Sequence, residues 1–211
     1  MAGALCGLSM IEERTALKEW AVLVDAMARG DIIAMIRKGG IREQRAGFSV
    51  RHDRFLLYPT YFHEKLGEVA PRLAPTLGTA HARRPTEGTI RLELVADVVG
   101  LWSVDDLDRL RAIEAEHGLE WSAVESRFHY RGKPGVQVIA ARVSRLTSPV
   151  TLPESRRYVG CVSWVELDTD VDVEDAIAVV AAETLAGRVA TLNEALGPME
   201  TVGARSHSER K

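Results

Sequence analysis

Basic side chains concentrate in one short stretch of this sequence, between Arg37 and Arg54. The stretch holds six arginines and lysines against two acids, a net charge of +4 in a chain of net charge −3, so the remainder sums to −7. A local positive field in an acidic protein can attract phosphate groups without making the whole surface adhesive. The alternative is an ordinary solvated loop, because the whole chain is biased towards arginine, with 22 arginines and 5 lysines. The six are Arg37, Lys38, Arg42, Arg45, Arg51 and Arg54.

The residue types around this stretch suit recognition of phosphates together with bases. Arginine and lysine contact phosphate oxygens, and a tyrosine ring can stack on an unpaired base for about 1–3 kcal/mol. Alternatively, Tyr58 and Tyr61 simply pack at the edge of the hydrophobic core. We therefore predict a nucleic-acid-binding face over residues 37 to 65, to which Arg131 and Lys133 would add. Its predicted members are Arg37, Lys38, Arg42, Arg51, His52, Arg54, Tyr58, Tyr61, His63 and Lys65.

Patterns that would indicate catalysis are mostly missing. A metal-dependent nuclease needs an acid two residues before a lysine, and only Lys211 meets that condition, with Glu209. The six histidines have no zinc-like spacing, and Cys6 and Cys161 form no paired motif. Lys38 precedes the glycines of its double-glycine turn, whereas a phosphate-binding loop places lysine after them. We expect no metal and no cofactor, and an enzyme is the less favoured interpretation.

Length and composition favour one ordinary globular domain. The 211 residues are 46% hydrophobic and 27% charged, which is enough to bury a sizeable core. We expect a single domain over residues 10–197, with flexible termini at 1–9 and 198–211. No apolar run approaches the ~20 residues of a membrane span, and the first residues lack the pattern of a signal peptide. We therefore expect a cytoplasmic protein without a membrane partner, and the oligomeric state stays open.

Hydrophobic periodicity and turn residues predict the order of the elements. Leu17, Trp20, Val24 and Met27 recur at helical spacing after a Ser9–Glu12 capping box and before Gly30, which predicts a first helix over residues 10–29. Ile90 to Val98 alternates as a half-buried strand does. The further predicted helices cover residues 61–73, 103–118, 121–130 and 173–196; the further strands cover 31–37, 48–58, 136–146 and 158–167; and residues 75–89 form a surface loop.

This order lacks the regular strand–helix alternation of a doubly wound fold, so the sequence predicts an α+β protein. Several of the strands are apolar on both faces. That property favours a small curled mixed β-sheet or a small barrel, flanked by helices.

Four segments of the chain resemble one bacterial family, the domain of unknown function 1802. The family is uncharacterised, so the resemblance implies membership but no activity. The segments are residues 16–20 (ALKEW), 37–41 (RKGGI), 55–60 (FLLYPT) and 158–165 (YVGCVSWV).

A second similarity is to ASCH domains, a branch of the PUA-like barrels. Residues 30–37, GDIIAMIR, follow an amphipathic helix as the pattern GKKTIExR does in that family, and residues 130–149 are similar to its late strand. The family is associated with RNA binding and, in some members, with hydrolysis of modified nucleosides. Where the hydrolytic members have lysine and glutamate this chain has Ile32 and Met35, while Arg37 remains, so the resemblance implies binding without that chemistry.

The leading hypothesis is therefore a nucleic-acid-binding protein that prefers RNA to DNA. An enzyme acting on a nucleotide or phosphorylated small molecule is the first alternative, with His52 or His63 as general base. The second alternative is a scaffold whose acidic C-terminal helix recruits a partner or another copy of the chain.

Overall fold

The computed structural model describes residues 11–38, 52–61, 64–160 and 162–200. Within these ranges the strands are β1 (Glu12–Trp20), β2 (Ala34–Arg37), β3 (Arg54–Thr60), β4 (Thr89–Val104), β5 (Val136–Pro153), β6 (Trp164–Asp172) and β7 (Ile177–Ala178). The helices are α1 (Ala21–Arg29), α2 (Leu77–Ala82), α3 (Leu107–Ala112), α4 (Glu114–His117), α5 (Trp121–Phe128) and α6 (Ala182–Leu196). Short 3-10 turns cover Leu66–Glu68, Ala74–Thr76 and Tyr130–Gly132.

The described strands form one open, mixed sheet in the order β2-β5-β4-β3-β1-β6, with β7 beside β5. β1 and β3 run parallel, and the other pairs are antiparallel. β4 and β5 pair along most of their length, and the register shifts between Leu92 and Leu94 and between Val98 and Gly100. Such bulges bend and twist long strands. The α+β class and the mixed sheet flanked by helices are thus confirmed.

Two hydrophobic clusters hold the sheet. The larger contains α1, β2 and residues such as Leu57, Trp102 and Phe128, and the smaller contains residues such as Leu56, Leu92 and Tyr158. Leu56 and Leu57 are neighbours on β3 and belong to different clusters because alternate strand residues point to opposite faces. Both faces of the sheet are therefore covered, which explains why the sequence contains strands that are apolar on both faces.

The predicted first helix is wrong over its first half. Residues 12–20 form β1, which pairs with β3 and β6, and the helix begins only at Ala21. The spacing of Leu17 and Trp20 with the later apolar residues is helical by coincidence, since it crosses a strand–helix junction. The end of the helix is as expected, because Gly30 adopts a left-handed conformation with φ 76°.

Other element boundaries also differ from the sequence prediction. In place of a helix over 61–73 the structure has a 3-10 turn at Leu66–Glu68 and a bridge between Val69 and Leu119, and the predicted loop at 75–89 contains α2. β4 continues to Val104, so the next helix starts after Asp106, whose carboxylate accepts the Asp108 N–H at 3.0 Å.

The last two predicted elements begin late. β6 starts at Trp164 instead of residue 158, because Tyr158 closes a turn onto the Ser155 carbonyl. The C-terminal helix starts at Ala182, since Ile177 and Ala178 pair with β5 as β7. A local turn delays the start of β6, whereas pairing with the distant strand β5 delays the start of the C-terminal helix.

Candidate nucleic-acid interface

A cleft of about 770 Å³ lies where β1, β2 and β3 end. β1 and β3 are parallel neighbours, with Lys18 opposite Tyr58 and Trp20 opposite Thr60, so their carboxyl ends meet at one edge of the sheet. Among the described residues its basic lining side chains are Lys18, Arg37, Lys38, Arg84, Arg91 and Arg127. The acidic ones are Glu19, Glu87 and Glu154, and the aromatic ones are Trp20, Tyr58, Tyr61 and Tyr130.

Arg37, the strand-end arginine that the sequence singled out, is fixed by β1. Its Nη1 donates to Glu19 Oε2 at 3.0 Å and to the Lys18 carbonyl at 3.1 Å. The side chains are 13% exposed for Arg37 and 3% exposed for Glu19. The guanidinium is therefore held in one orientation at the wall of the cleft.

Lys38 is placed beside Arg37 but has a different environment. Its ammonium donates to the carbonyls of Phe128 (3.1 Å), Lys133 and Gly135. Burial, reinforced by the charge of Lys133, lowers the pKa of this ammonium. Because an ammonium has three N–H donors, these three carbonyls occupy its hydrogen-bonding capacity and tie the end of β2 to the turn after α5.

Two arginines of the cleft lie against aromatic rings. The guanidinium carbon of Arg127 is 4.9 Å from the centre of the Trp20 ring, and that of Arg84 is 5.2 Å from the centre of the Tyr61 ring. Arg127 also donates to the Ile36 carbonyl at 2.8 Å, and burial lowers the pKa of its guanidinium. Arg84 is exposed, and no carboxylate in the described part of the chain pairs with it.

Tyr58 belongs to the floor of the cleft. It is buried at 2% exposure, and its hydroxyl donates to Glu154 Oε1 at 2.6 Å. Burial and the nearby Glu154 carboxylate raise the pKa of its phenol. The Lys18 ammonium lies 5.3 Å from the centre of its ring. Tyr58 thus positions Glu154, the residue that follows the end of β5, inside the cleft.

Of the remaining predicted residues, those that the structure describes are not brought to the cleft. Arg54 begins β3, whose seven residues span roughly 23 Å, so it lies at the other end of the strand from Thr60, and its Nε donates to Asp97 at 2.6 Å. His52 lies at that same end, with its ring 5.1 Å from the Trp164 ring and Nδ1 3.4 Å from the Thr15 hydroxyl. Lys65 pairs with Glu68 at 2.8 Å outside the cleft lining. Arg42, Arg51 and His63 fall outside the described residues.

Several cleft residues were not predicted from the sequence. Trp20 entered the prediction only as one of the apolar residues of the first helix, and it is partly buried. Glu19, Arg84, Arg127 and Glu154 received no role. The one available signal was the adjacent pair Arg83 and Arg84, which stands among turn residues.

In the segments that the structure describes, no group of three or more acidic, histidine or cysteine side chains could hold a metal ion. Across the same segments, no helix is long and apolar enough to cross a bilayer.

The fold and the cleft define an α+β protein with a basic, aromatic-lined cleft at the ends of three strands. The chain belongs to the family described as domain of unknown function DUF1802, whose model matches residues 16–191. This confirms the first resemblance seen in the sequence.

Two solved structures are similar in fold, and both are ASCH proteins, the second family that the sequence resembles. A crystal structure of a mutant of the ASCH protein from Zymomonas mobilis is 14% identical, with a TM-score of 0.44 over 74% of this chain and 91% of that chain. A crystal structure of ASCH from Zymomonas mobilis is 12% identical, with a TM-score of 0.41 over 84% of this chain and 94% of that chain. At this level of similarity they do not define an activity for this chain. A comparison with curated proteins finds no match.

Proposed function

We propose that this protein binds single-stranded nucleic acid in the cleft, with a preference for RNA over DNA. The observation that carries the proposal is the pairing of arginines with aromatic rings, Arg127 with Trp20 and Arg84 with Tyr61. Unpaired bases are bound by stacking on aromatic side chains and on guanidinium planes, and a neighbouring guanidinium can also contact the phosphate. A surface that offers both groups side by side fits one nucleotide at each pair.

Charge supports the same ligand. Six basic side chains line the cleft against three acidic ones, although the whole chain is acidic with a net charge of −3. Glu19 and the Lys18 carbonyl hold the Arg37 guanidinium in one orientation, so its positive charge is fixed at the wall of the cleft before a ligand arrives. The volume of about 770 Å³ lies in the range of ordinary ligand pockets, so a short single-stranded segment fits it better than a duplex does.

A preference for RNA follows from the acceptors in the cleft. Glu87 and Glu154 line it, and a carboxylate can accept a hydrogen bond from a ribose 2′-hydroxyl, which DNA lacks. Glu154 already accepts the Tyr58 hydroxyl on Oε1, so its orientation is set before a ligand arrives. The RNA binding implied by the sequence resemblance to ASCH domains agrees with this preference.

The proposal is binding and not hydrolysis. Ile32 and Met35, which stand where hydrolytic ASCH members have lysine and glutamate, are buried at 1% and 2% exposure in the core. His52, a candidate general base of the enzyme alternative, lies at the other end of β3 from the cleft. At these two positions, therefore, apolar core side chains replace the lysine and glutamate of that reaction.

The test is binding of labelled single-stranded RNA, single-stranded DNA of the same sequence and duplex RNA, followed by fluorescence anisotropy at about 50 mM and about 200 mM salt. The informative variant is Tyr61→Leu with Arg84→Gln. Its matched control is Trp121→Leu with Arg111→Gln, because Arg111 lies 3.8 Å from the centre of the Trp121 ring and neither residue lines the cleft.

We expect salt-sensitive binding that is tightest for single-stranded RNA. The cleft variant should weaken it by about 5- to 150-fold, the equivalent of one lost base stack, while the control should not. Equal losses in both variants, or no binding of any of the three ligands, would contradict the proposal. If a mononucleotide tested in the same assay bound tightly while the three longer ligands did not, the small-ligand alternative would be favoured.

A further inference from the structure

A second depression of about 790 Å³ adjoins the cleft. We call it the arginine groove and define it by Arg83, Arg84, Arg91 and Arg145. The groove and the cleft are both lined by residues 84–86, 89 and 91, so they meet along one segment of the chain. A ligand that leaves the cleft over this segment enters the arginine groove directly.

The arginine groove carries an excess of positive charge. Among its described lining residues four are arginines and one, Glu93, is an acid. Glu93 is shared, since Arg91 Nε lies 2.5 Å from one of its oxygens and Arg145 Nη1 lies 3.8 Å from the other. The charge of Arg83 is balanced by Asp25, whose Oδ1 lies 2.8 Å from Arg83 Nη1. Arg84 is paired with no carboxylate in the described part of the chain.

These guanidiniums keep donors for a ligand. The Arg83, Arg91 and Arg145 side chains are 58%, 46% and 47% exposed. Arg145 Nη2 also donates to the Ala28 carbonyl at 2.8 Å. A guanidinium has five N–H groups, and these contacts use one or two of them in each case. Arg91 and Arg145 project from the neighbouring strands β4 and β5, whose pairing fixes their separation.

We propose, on the basis of the nucleic-acid binding proposed above, that the arginine groove is a phosphate-backbone subsite that holds the continuation of a strand whose bases stack in the cleft. The groove has four guanidiniums and no aromatic lining residue among those described, so it suits phosphates and not bases. The cleft then selects a single strand, and the groove adds affinity that depends on ligand length and carries no base preference.

The experiment compares labelled oligouridylates of three and nine nucleotides. The informative variant is Arg145→Gln, and Arg142→Gln is its matched control. Both arginines lie on β5, their side chains are 47% and 50% exposed, and each pairs with an acid of β4, Glu93 or Asp97. Arg142 lines neither the cleft nor the groove. Arg145→Lys keeps the charge if Arg145→Gln proves unstable.

We expect the nine-mer to bind about tenfold more tightly than the three-mer. Arg145→Gln should remove roughly that factor for the nine-mer and leave the three-mer unchanged, and the slope of log affinity against log salt should shrink by about 0.7 per lost phosphate contact. Arg145→Lys should retain most of the affinity. Equal affinity of the two oligomers, or equal losses in Arg145→Gln and Arg142→Gln, would overturn the subsite while binding of the three-mer stands. No binding of the three-mer would instead overturn the proposed function itself.

Discussion

Arg37 and Glu19 lie on strands that are separated by three others in the sheet, yet Arg37 Nη1 is 3.0 Å from Glu19 Oε2. In a flat sheet the four strand spacings between β2 and β1 would amount to roughly 19 Å. The sheet is therefore strongly curled, and the cleft is the space that this curl encloses at the strand ends. The contact joins β2 to β1, which are not neighbours in the sheet, and it is also part of the candidate interface.

The ion pair between Arg37 and Glu19 should stabilise the folded protein. Glu19→Gln should lower the free energy of unfolding by about 3–5 kcal/mol, because it removes the buried carboxylate that pairs with the largely buried Arg37 guanidinium. The double variant with Arg37→Gln should be less destabilised than the sum of the two single variants. Urea denaturation of all four proteins measures the coupling, and additive effects would show that the two side chains act independently.

A second ion cluster should stabilise the packing of α1 on the segment after α2. Asp25 is buried at 6% exposure, and its carboxylate accepts hydrogen bonds from Arg29 and, at 2.8 Å, from Arg83. Asp25→Asn should cost about 1–3 kcal/mol, since both arginines are exposed enough to be rehydrated. The control is Asp31→Asn, which removes a pair with the same Arg29 at 2.7 Å from a carboxylate that is 42% exposed. Thermal melts of the two variants should differ, and equal shifts would contradict the assignment.

Gly118 should tolerate no side chain. Its φ is 66°, and an added Cβ would lie 2.7 Å from Leu73 Cδ1 and 2.8 Å from Leu23 Cδ2. Gly118→Ala should therefore cost about 2–5 kcal/mol, from left-handed backbone strain together with overpacking. Gly88 has φ 79° but open space around it, so Gly88→Ala should show only the strain, about 1–2 kcal/mol. Chemical denaturation separates the two, and a Gly118 variant no worse than the Gly88 variant would refute the steric argument.

His117 should make the stability of the protein depend on pH. It is 1% exposed, its Nδ1 accepts the Leu119 N–H at 3.1 Å, and Nε2 has no hydrogen-bond partner among the described residues. Burial lowers the pKa of this imidazole from 6.5 to about 4, so folding favours the neutral ring. Its contribution is complete above about pH 6.5 and is lost as the pH falls toward 4, by about 3 kcal/mol in all.

The measurement is the free energy of unfolding between about pH 7 and about pH 4 for the native protein and for His117→Gln. The variant should be less stable at neutral pH and should have a shallower pH dependence across this window. Parallel curves would show that other groups produce the acid sensitivity.

Patterns that depend on neighbouring residues were readable from the sequence. The alternation of Ile90 to Val98 lies within β4, and Gly30 and Gly118 end helices in the left-handed conformation that glycine adopts most easily. The family and the α+β class were also readable. Local pattern failed at β1, where a strand runs directly into a helix and the combined apolar spacing imitates one longer helix.

The membership of the cleft was decided by the tertiary structure. Arg37, Lys38, Tyr58 and Tyr61 could be proposed from the sequence because they lie in the charged stretch or just after it, and the structure places all four at the cleft. The partners that give them their environment come from far along the chain: Arg127 lies against Trp20, and Glu154 accepts the Tyr58 hydroxyl. Arg54, close in sequence, is carried to the opposite end of β3. Sequence determines which side chains are available. Strand direction, register and the curl of the sheet decide which of them meet, because the two ends of a strand lie a whole strand length apart.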